Sequence, residues 1–215
     1  MQIKYTALFF CLFFTKSLSS YTIMLDPAGD SQNTGRIIDN TFERGISLQC
    51  AESLKAALAK ALPHIRIIIS RTPGESVEKL QNAAFANRLQ TDLYINLQFY
   101  QEKTNPAKIA FYYYSSQPTT DSWHTPKKLG FYNLHEIYLL NHATTKKICL
   151  KMLHIWQQEY RKYFLPIGAF GLPFQPFIGI QAPAISIEVG LVQKENWLML
   201  IDPLVKILTQ VIHET

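Results

Sequence analysis

What most constrains this chain is the alternation of short β-branched runs with segments of helical period. Thr22 to Leu25 is an apolar run that breaks at Asp26-Pro27, and the following Ala28 to Asn40 is rich in Gly, Asp, Asn and Ser. That pattern predicts a strand followed by a long polar loop. From Glu43 to Leu62 the apolar positions Ile46, Cys50, Leu54, Leu58 and Leu62 recur at the helical period until Pro63 stops the run. Ile65 to Ser70 (IRIIIS) reads as a central strand, and Glu75 to Leu89 carries Val77, Leu80, Ala84 and Leu89 at helical spacing.

The alternation continues towards the C-terminus. Asp92 to Leu97 and Lys108 to Tyr114 are strands separated by a turn-like Glu102 to Pro106, and Gln117 to Lys128 is a polar loop. Leu134 to Phe164 holds one long helix or two shorter ones, while the Gly and Pro content of Gly168 to Pro176 calls for irregular backbone. Ala184 to Val189 is a last buried strand, and Leu198 to His213 closes as a helix around Leu204, Leu208 and Val211. The expected fold is α/β, with a mostly parallel mixed sheet of about five or six strands flanked by helices on both faces. At 215 residues and 47% apolar content the chain can bury one core without disulfide or metal staples. That composition excludes disordered, collagenous and coiled-coil classes.

The first 19 residues stand apart from that core. Lys4 precedes a short apolar run, Ala7 to Phe14, and Ser17-Leu18-Ser19 offers small residues of the kind a signal peptidase reads. The run is far shorter than the roughly 20 residues that cross a bilayer, so a cleaved export signal is expected rather than a permanent membrane span. Residues 20–215 would then form a single domain exported to the periplasm or cell envelope. Loss of Lys4 and Lys16 lowers the net charge from +5 to +3, which suits an anionic envelope and argues for no nucleic-acid partner. Cys11 leaves with the signal. Cys50 and Cys149 remain, and their spacing does not decide between free thiols and a bridge.

In α/β folds ligands gather where the strands end, so the loop residues there are the candidates for chemistry. These are Asp26-Pro27-Ala28-Gly29-Asp30, Glu43 at the head of the first helix, Gln98 after the third strand, and Glu188-Val189-Gly190. Read with Ser70-Arg71-Thr72, Ala86-Asn87 and Pro183-Ala184-Ile185-Ser186-Ile187-Glu188-Val189-Gly190-Leu191, the order resembles that of the zinc-dependent N-acetylmuramoyl-L-alanine amidases. The likeness spans nearly all of residues 20–215.

The resemblance implies an amidase-like fold and a peptidoglycan ligand. It also implies a His, Glu, His zinc site that activates water for attack on the lactyl-L-alanine amide, and a late Glu as the base. On this chain the two histidine positions hold Gly29 and Gln98, Glu43 keeps the middle ligand position, and Glu188 keeps the position of the base. Zinc prefers imidazole or thiolate, so the resemblance implies a degenerate site, no cofactor and no catalysis. Asp30 is a substitute ligand that with Glu43 and Gln98 would make an all-oxygen set better suited to magnesium or calcium. Arg71 is expected to bind substrate and to partner Glu188. Replacing Gly29 and Gln98 together by histidine would be expected to rebuild a three-ligand zinc site.

The remaining histidines do not replace the lost pair. His64 lies at a turn away from the site, His135, His142, His154 and His213 fall in helical segments, and His135-Glu136 lacks the second histidine of a His-Glu-x-x-His motif. His124 sits in a polar loop with freedom to approach. The Phe170 to Phe177 stretch offers rings that pack a loop or stack on sugars. Three functions follow. The first is a non-catalytic domain that binds peptidoglycan or regulates a cell-wall enzyme, the second an active amidase with zinc in altered ligation, and the third a structural envelope domain.

Overall fold

The computed structural model describes residues 21–78, 80–116 and 132–213. The proposed signal, Cys11, His124 and the polar loop at 117–128 lie outside the described residues. Its centre is a six-stranded sheet of β1 (Thr22–Pro27), β4 (Arg66–Ile69), β5 (Leu93–Gln101), β6 (Lys108–Tyr114), β7 (Leu165–Leu172) and β8 (Ala184–Leu191) in the order β4-β1-β5-β8-β6-β7. Every neighbouring pair is parallel except β6 with β8. The expected α/β architecture is the one observed. A two-stranded hairpin of β2 (Ile37–Ile38) and β3 (Thr41–Phe42) stands apart in the loop after β1.

Pleat alternation divides the sheet into two faces. Ile23 and Leu25, then Leu93, Ile95, Leu97 and Phe99, then Ile185, Ile187, Val189 and Leu191 point into the larger core. There they meet the apolar stripes of α1 (Glu43–Ala61), α3 (His142–Ile155) and α4 (Ile201–His213). Met24, Tyr94, Tyr114 and Ala184 point the other way, into a smaller cluster with Ala83 and Ala86 of α2 (Gln81–Arg88) and Phe177 of the 3₁₀ turn Gln175–Phe177. That second layer is short, so further along the strands the same face carries polar side chains instead.

Several boundaries differ from the sequence expectation. The helix expected from Glu75 begins only at Gln81, after a left-handed Leu80 (φ 66°), because Asp30 takes the backbone N–H of Val77 and Glu75 turns back to Thr72. The Gly168 to Pro176 stretch is not wholly irregular. Its first residues belong to β7, an edge strand that tolerates Pro166 and bulges at Ile167, which the register skips between Pro166 and Gly168. Leu134 to Phe164 divides into a 3₁₀ turn (Ile137–Leu140), α3 and a π-helical turn (Trp156–Tyr160), leaving His135 in a turn rather than a helix. The C-terminal helix starts at Ile201, after a 3₁₀ segment over Lys194–Leu200. β5 and β8 run past Gln98 and Glu188 to Gln101 and Leu191, so these two residues lie within strands, not beyond them.

Candidate functional site

The polar part of the second face is built from positions two apart on neighbouring strands. Asp26 of β1 stands beside Asn96 of β5, Asn96 beside Ser186 of β8, and Gln98 beside Glu188. Hydrogen bonds join them across the sheet. Ser70 Oγ (2.7 Å) and Asn82 Nδ2 (2.8 Å) donate to Asp26 Oδ1, and Asn96 Nδ2 donates to Asp26 Oδ2 (2.8 Å). Ser186 Oγ and Gln98 Nε2 both donate to Asn96 Oδ1, each at 2.9 Å. Asp26 is buried, and that burial raises its carboxyl pKa despite opposing hydrogen bonds and the charge of Arg71.

Glu188 belongs to a second polar group beside this one. Its Oε2 accepts from Tyr112 OH (2.9 Å), and its Oε1 lies 2.7 Å from Nη1 of Arg36. Arg36, not Arg71, is therefore the ion-pair partner of Glu188. The Arg36 guanidinium also lies over the Tyr100 ring, 5.7 Å from its centroid. Tyr112 stacks on Phe174 with 6.0 Å between centroids and contacts Phe170, so aromatic rings flank the carboxylate. Phe177 is buried in the smaller core, which divides the phenylalanines of this stretch between packing and surface. Burial and the neighbouring Glu188 carboxylate push the Tyr112 phenol up to about 12, so it acts as a hydrogen-bond donor at ordinary pH.

Glu43 heads α1 but its carboxylate turns to the backbone. Oε1 accepts from Phe99 N (2.8 Å) and Oε2 from Arg36 N (3.0 Å), with the residue 4% exposed. The reason lies in the sheet. Beyond Pro27, paired with Leu97, β1 ends, and Glu43 satisfies the β5 amide at Phe99. Gly35 (φ 73°) makes room, since a Cβ there would lie 2.7 Å from Glu43 Oε2.

Gly29 is likewise shaped by its neighbours. It holds φ 74°, and a Cβ would lie 2.9 Å from both Arg44 Cβ and the Asn33 carbonyl oxygen. Asp30 Oδ1 accepts from the backbone N–H of Gln32 and Asn33, each at 2.7 Å. Burial would raise the Asp30 pKa, but the bonds from Asn33, Gln32 and Val77 prevail and lower it. Arg71 is buried and donates to the carbonyls of Pro27 (3.3 Å), Ala28 (3.2 Å) and Arg44 (2.9 Å), clamping the loop after β1 to α1.

The donor set does not fit zinc. Gly29 has no side chain and no space for one, Glu43 is held by two backbone amides, Asp30 closes its own turn, and Gln98 supplies a neutral amide. Among the described residues no three His, Cys, Asp or Glu side chains group as a metal site. The sheet brings Gln98 and Glu188 into register and places Asp26, Asn82 and Asn96 beside them. Sequence reasoning missed Arg36, Asn82, Asn96, Tyr112 and Ser186. For Asn96 and Ser186 there was a signal, a polar residue at every second position of an otherwise apolar strand.

No family model and no curated protein matches the sequence. Solved structures do. The chain is similar to the N-acetylmuramoyl-L-alanine amidase AmiC2 of Nostoc punctiforme, with a TM-score of 0.66 and 12% identity over 90% of this chain and 98% of that one. It is similar to the N-acetylmuramoyl-L-alanine amidase from Clostridium difficile 630, at 0.63 and 18% over 91% and 98%. It also resembles the CwlD amidase from Clostridioides difficile, solved in complex with the GerS lipoprotein, at 0.62 and 10% over 91% and 100%. At these identities the likeness establishes an amidase-like fold.

Proposed function

We propose that this chain is a metal-independent, non-catalytic amidase-like domain of the cell envelope, which binds peptidoglycan or regulates a cell-wall enzyme. One observation carries the reading. Three of the positions that the amidase resemblance assigns to metal chemistry, Gly29, Glu43 and Gln98, have been taken into the scaffold: a left-handed turn, a carboxylate bonded to two backbone amides, and an amide bonded to Asn96. What stays open towards solvent is Glu188 with Arg36, flanked by Tyr112, Phe170 and Tyr100. Aromatic rings beside a charged pair suit sugar faces and peptide carboxylates. The likeness to cell-wall amidases supports peptidoglycan as the ligand. The short apolar run Ala7 to Phe14 followed by Ser17 and Ser19 supports residues 1–19 as an export signal, with residues 20–215 as one domain. Among the described residues no helix is long and apolar enough to cross a membrane.

Retention of Glu188 favours a second reading, an active amidase with altered metal ligation. A co-sedimentation assay on purified peptidoglycan, run beside a stem-peptide release assay with and without added zinc, separates the readings. Retention without release is the expected result. Zinc-dependent release would replace the first reading with the second, and no retention would overturn peptidoglycan binding and leave regulation of a cell-wall enzyme or a structural envelope domain.

A further inference from the structure

β7 closes one end of the sheet, and among the described residues β6 is its only ladder partner. The Leu172 carbonyl accepts from Ser115 N (3.0 Å), and with the β6 register this turns the backbone of Gly168, Phe170 and Leu172 inward. The N–H and C=O groups of Ala169 and Gly171 therefore point out of the sheet edge. Ile167, Phe170 and Leu172 are 53%, 40% and 44% exposed, and no charged residue occurs between Lys162 and Glu188. Sheet edges are ordinarily guarded by short length, charge or proline. The opposite edge strand, β4, has four residues and an exposed Arg66 at its start. β7 has eight residues, and Pro166 with the bulge at Ile167 blunts only its first part. Gly168 to Leu172 is left as an open, uncharged edge.

We propose that this edge pairs with the same strand of a second copy of the chain, antiparallel about a twofold axis through Phe170. The chemistry selects the occupant. Amides and carbonyls presented at alternate positions take an extended strand, and the absence of charge lets two identical strands meet without repulsion. Centred on Phe170, the pairing sets Ala169 opposite Gly171 and lets them exchange N–H···O=C bonds in both halves of the contact. It also sets Leu172 opposite Gly168, over which the Phe170 ring lies, since a Cβ at Gly168 would be 2.8 Å from Phe170 Cζ. Each Leu172 then packs on the Phe170 ring of the other copy. One short strand per copy buries less than the roughly 1,200 Å² of stable interfaces, so the association is weak. Opposed residues of antiparallel strands face the same side, so the two six-stranded sheets join with both Glu188–Arg36 pairs on one face. The two β8 strands are separated by β6 and β7 of each copy, a distance of roughly 24 Å. Resting on the proposed function, that arrangement offers paired sites to a polymer of repeating units, which gains by avidity.

Sedimentation velocity of the purified protein over a concentration series tests this, together with hydrogen exchange of the edge amides. A dimer with a Kd of about 10 to 500 μM is expected. The amides of Ala169 and Gly171 should exchange fast when dilute and slow down as the dimer forms. Ala169→Pro removes an outward N–H without touching the inner ladder, and Leu172→Lys places a charge on the edge. Each should weaken the dimer at least about tenfold while the thermal midpoint stays close to that of the parent. Should Ala169→Pro fail to fold, Leu172→Lys carries the test by itself. A protein that stays monomeric up to about 1 mM overturns the inference. So does a dimer that both variants leave intact, and so do edge amides protected at the lowest concentration, which would mean that the chain covers its own edge. Sedimentation with peptidoglycan separates this from the proposed function. Stronger retention of the parent than of Leu172→Lys supports paired sites, and equal retention removes the avidity while leaving the dimer. No retention of either overturns peptidoglycan binding and leaves the dimer standing.

Discussion

Arg36 Nη1 and Glu188 Oε1 lie 2.7 Å apart, joining the loop after β1 to β8, the fourth strand in sheet order, through side chains alone. The pair is uneven in exposure, with 47% of the Arg36 side chain and 19% of the Glu188 side chain accessible. Solvent screens such a pair. A double-mutant cycle with Arg36→Ala and Glu188→Gln should therefore give a coupling energy of about 0.5 to 1 kcal/mol. A coupling above about 3 kcal/mol would mark the pair as a buried structural bridge instead.

Glu43 should matter far more to folding than to any metal. Glu43→Ala removes the acceptor for two backbone amides, which costs about 2 to 4 kcal/mol in denaturant unfolding. Glu43→Gln keeps one acceptor oxygen and should lose less. Loss of under about 0.5 kcal/mol in the alanine variant would show that water replaces the carboxylate.

The paired change Gly29→His with Gln98→His is expected to fail as a zinc graft, contrary to what the sequence resemblance suggests. A side chain at 29 meets backbone and Cβ of Arg44 in a left-handed conformation, which should cost about 1 to 3 kcal/mol. Chelator competition should detect no more zinc in the double variant than in Gln98→His alone. Stoichiometric zinc in the double variant would show that the loop rearranges readily.

Acid stability should depend on Glu102. The Thr104 hydroxyl, outweighing burial, together with the Thr104 amide and Lys108, lowers its pKa to about 2. A carboxylate with a depressed folded pKa contributes stability above its unfolded value, which is lost as pH falls from about 4.5 towards 2. Asp26 acts in the opposite sense: its folded pKa is raised, so its contribution declines as pH rises above 3.8. In pH-dependent unfolding, Glu102→Gln should flatten the acid limb. An unchanged limb would place the acid sensitivity elsewhere.

Cys50 and Cys149 are free and buried, and burial pushes both thiols up to about 12. The alternative of a bridge left open by their spacing is thus resolved towards free thiols. Neither should react with a thiol reagent in the native protein, and both should react in denaturant. Rapid labelling under native conditions would show that α1 or α3 opens locally.

Much of the fold was legible because periodicity reports burial directly. The steps of four from Ile46 to Leu58 and the runs around Ile67, Ile95 and Ile187 became helix and strands with the expected inner faces. Boundaries were less legible, because Gln98 and Glu188 look like strand ends in sequence but are outward positions of strands that continue. The Gly and Pro residues of β7 hid an edge strand for the same local reason. By itself the sequence determined the α/β class and the presence of carboxylates at Glu43 and Glu188 beside the ends of helix and strand patterns, since those depend on residue type and spacing along one chain. Only the tertiary structure decided what those carboxylates face. Glu43 meets the amides of Arg36 and Phe99, Glu188 meets Arg36 and Tyr112, and Asp26 gathers Ser70, Asn82 and Asn96. Those partners come from separate elements, and strand order and register bring them within hydrogen-bond reach of one another.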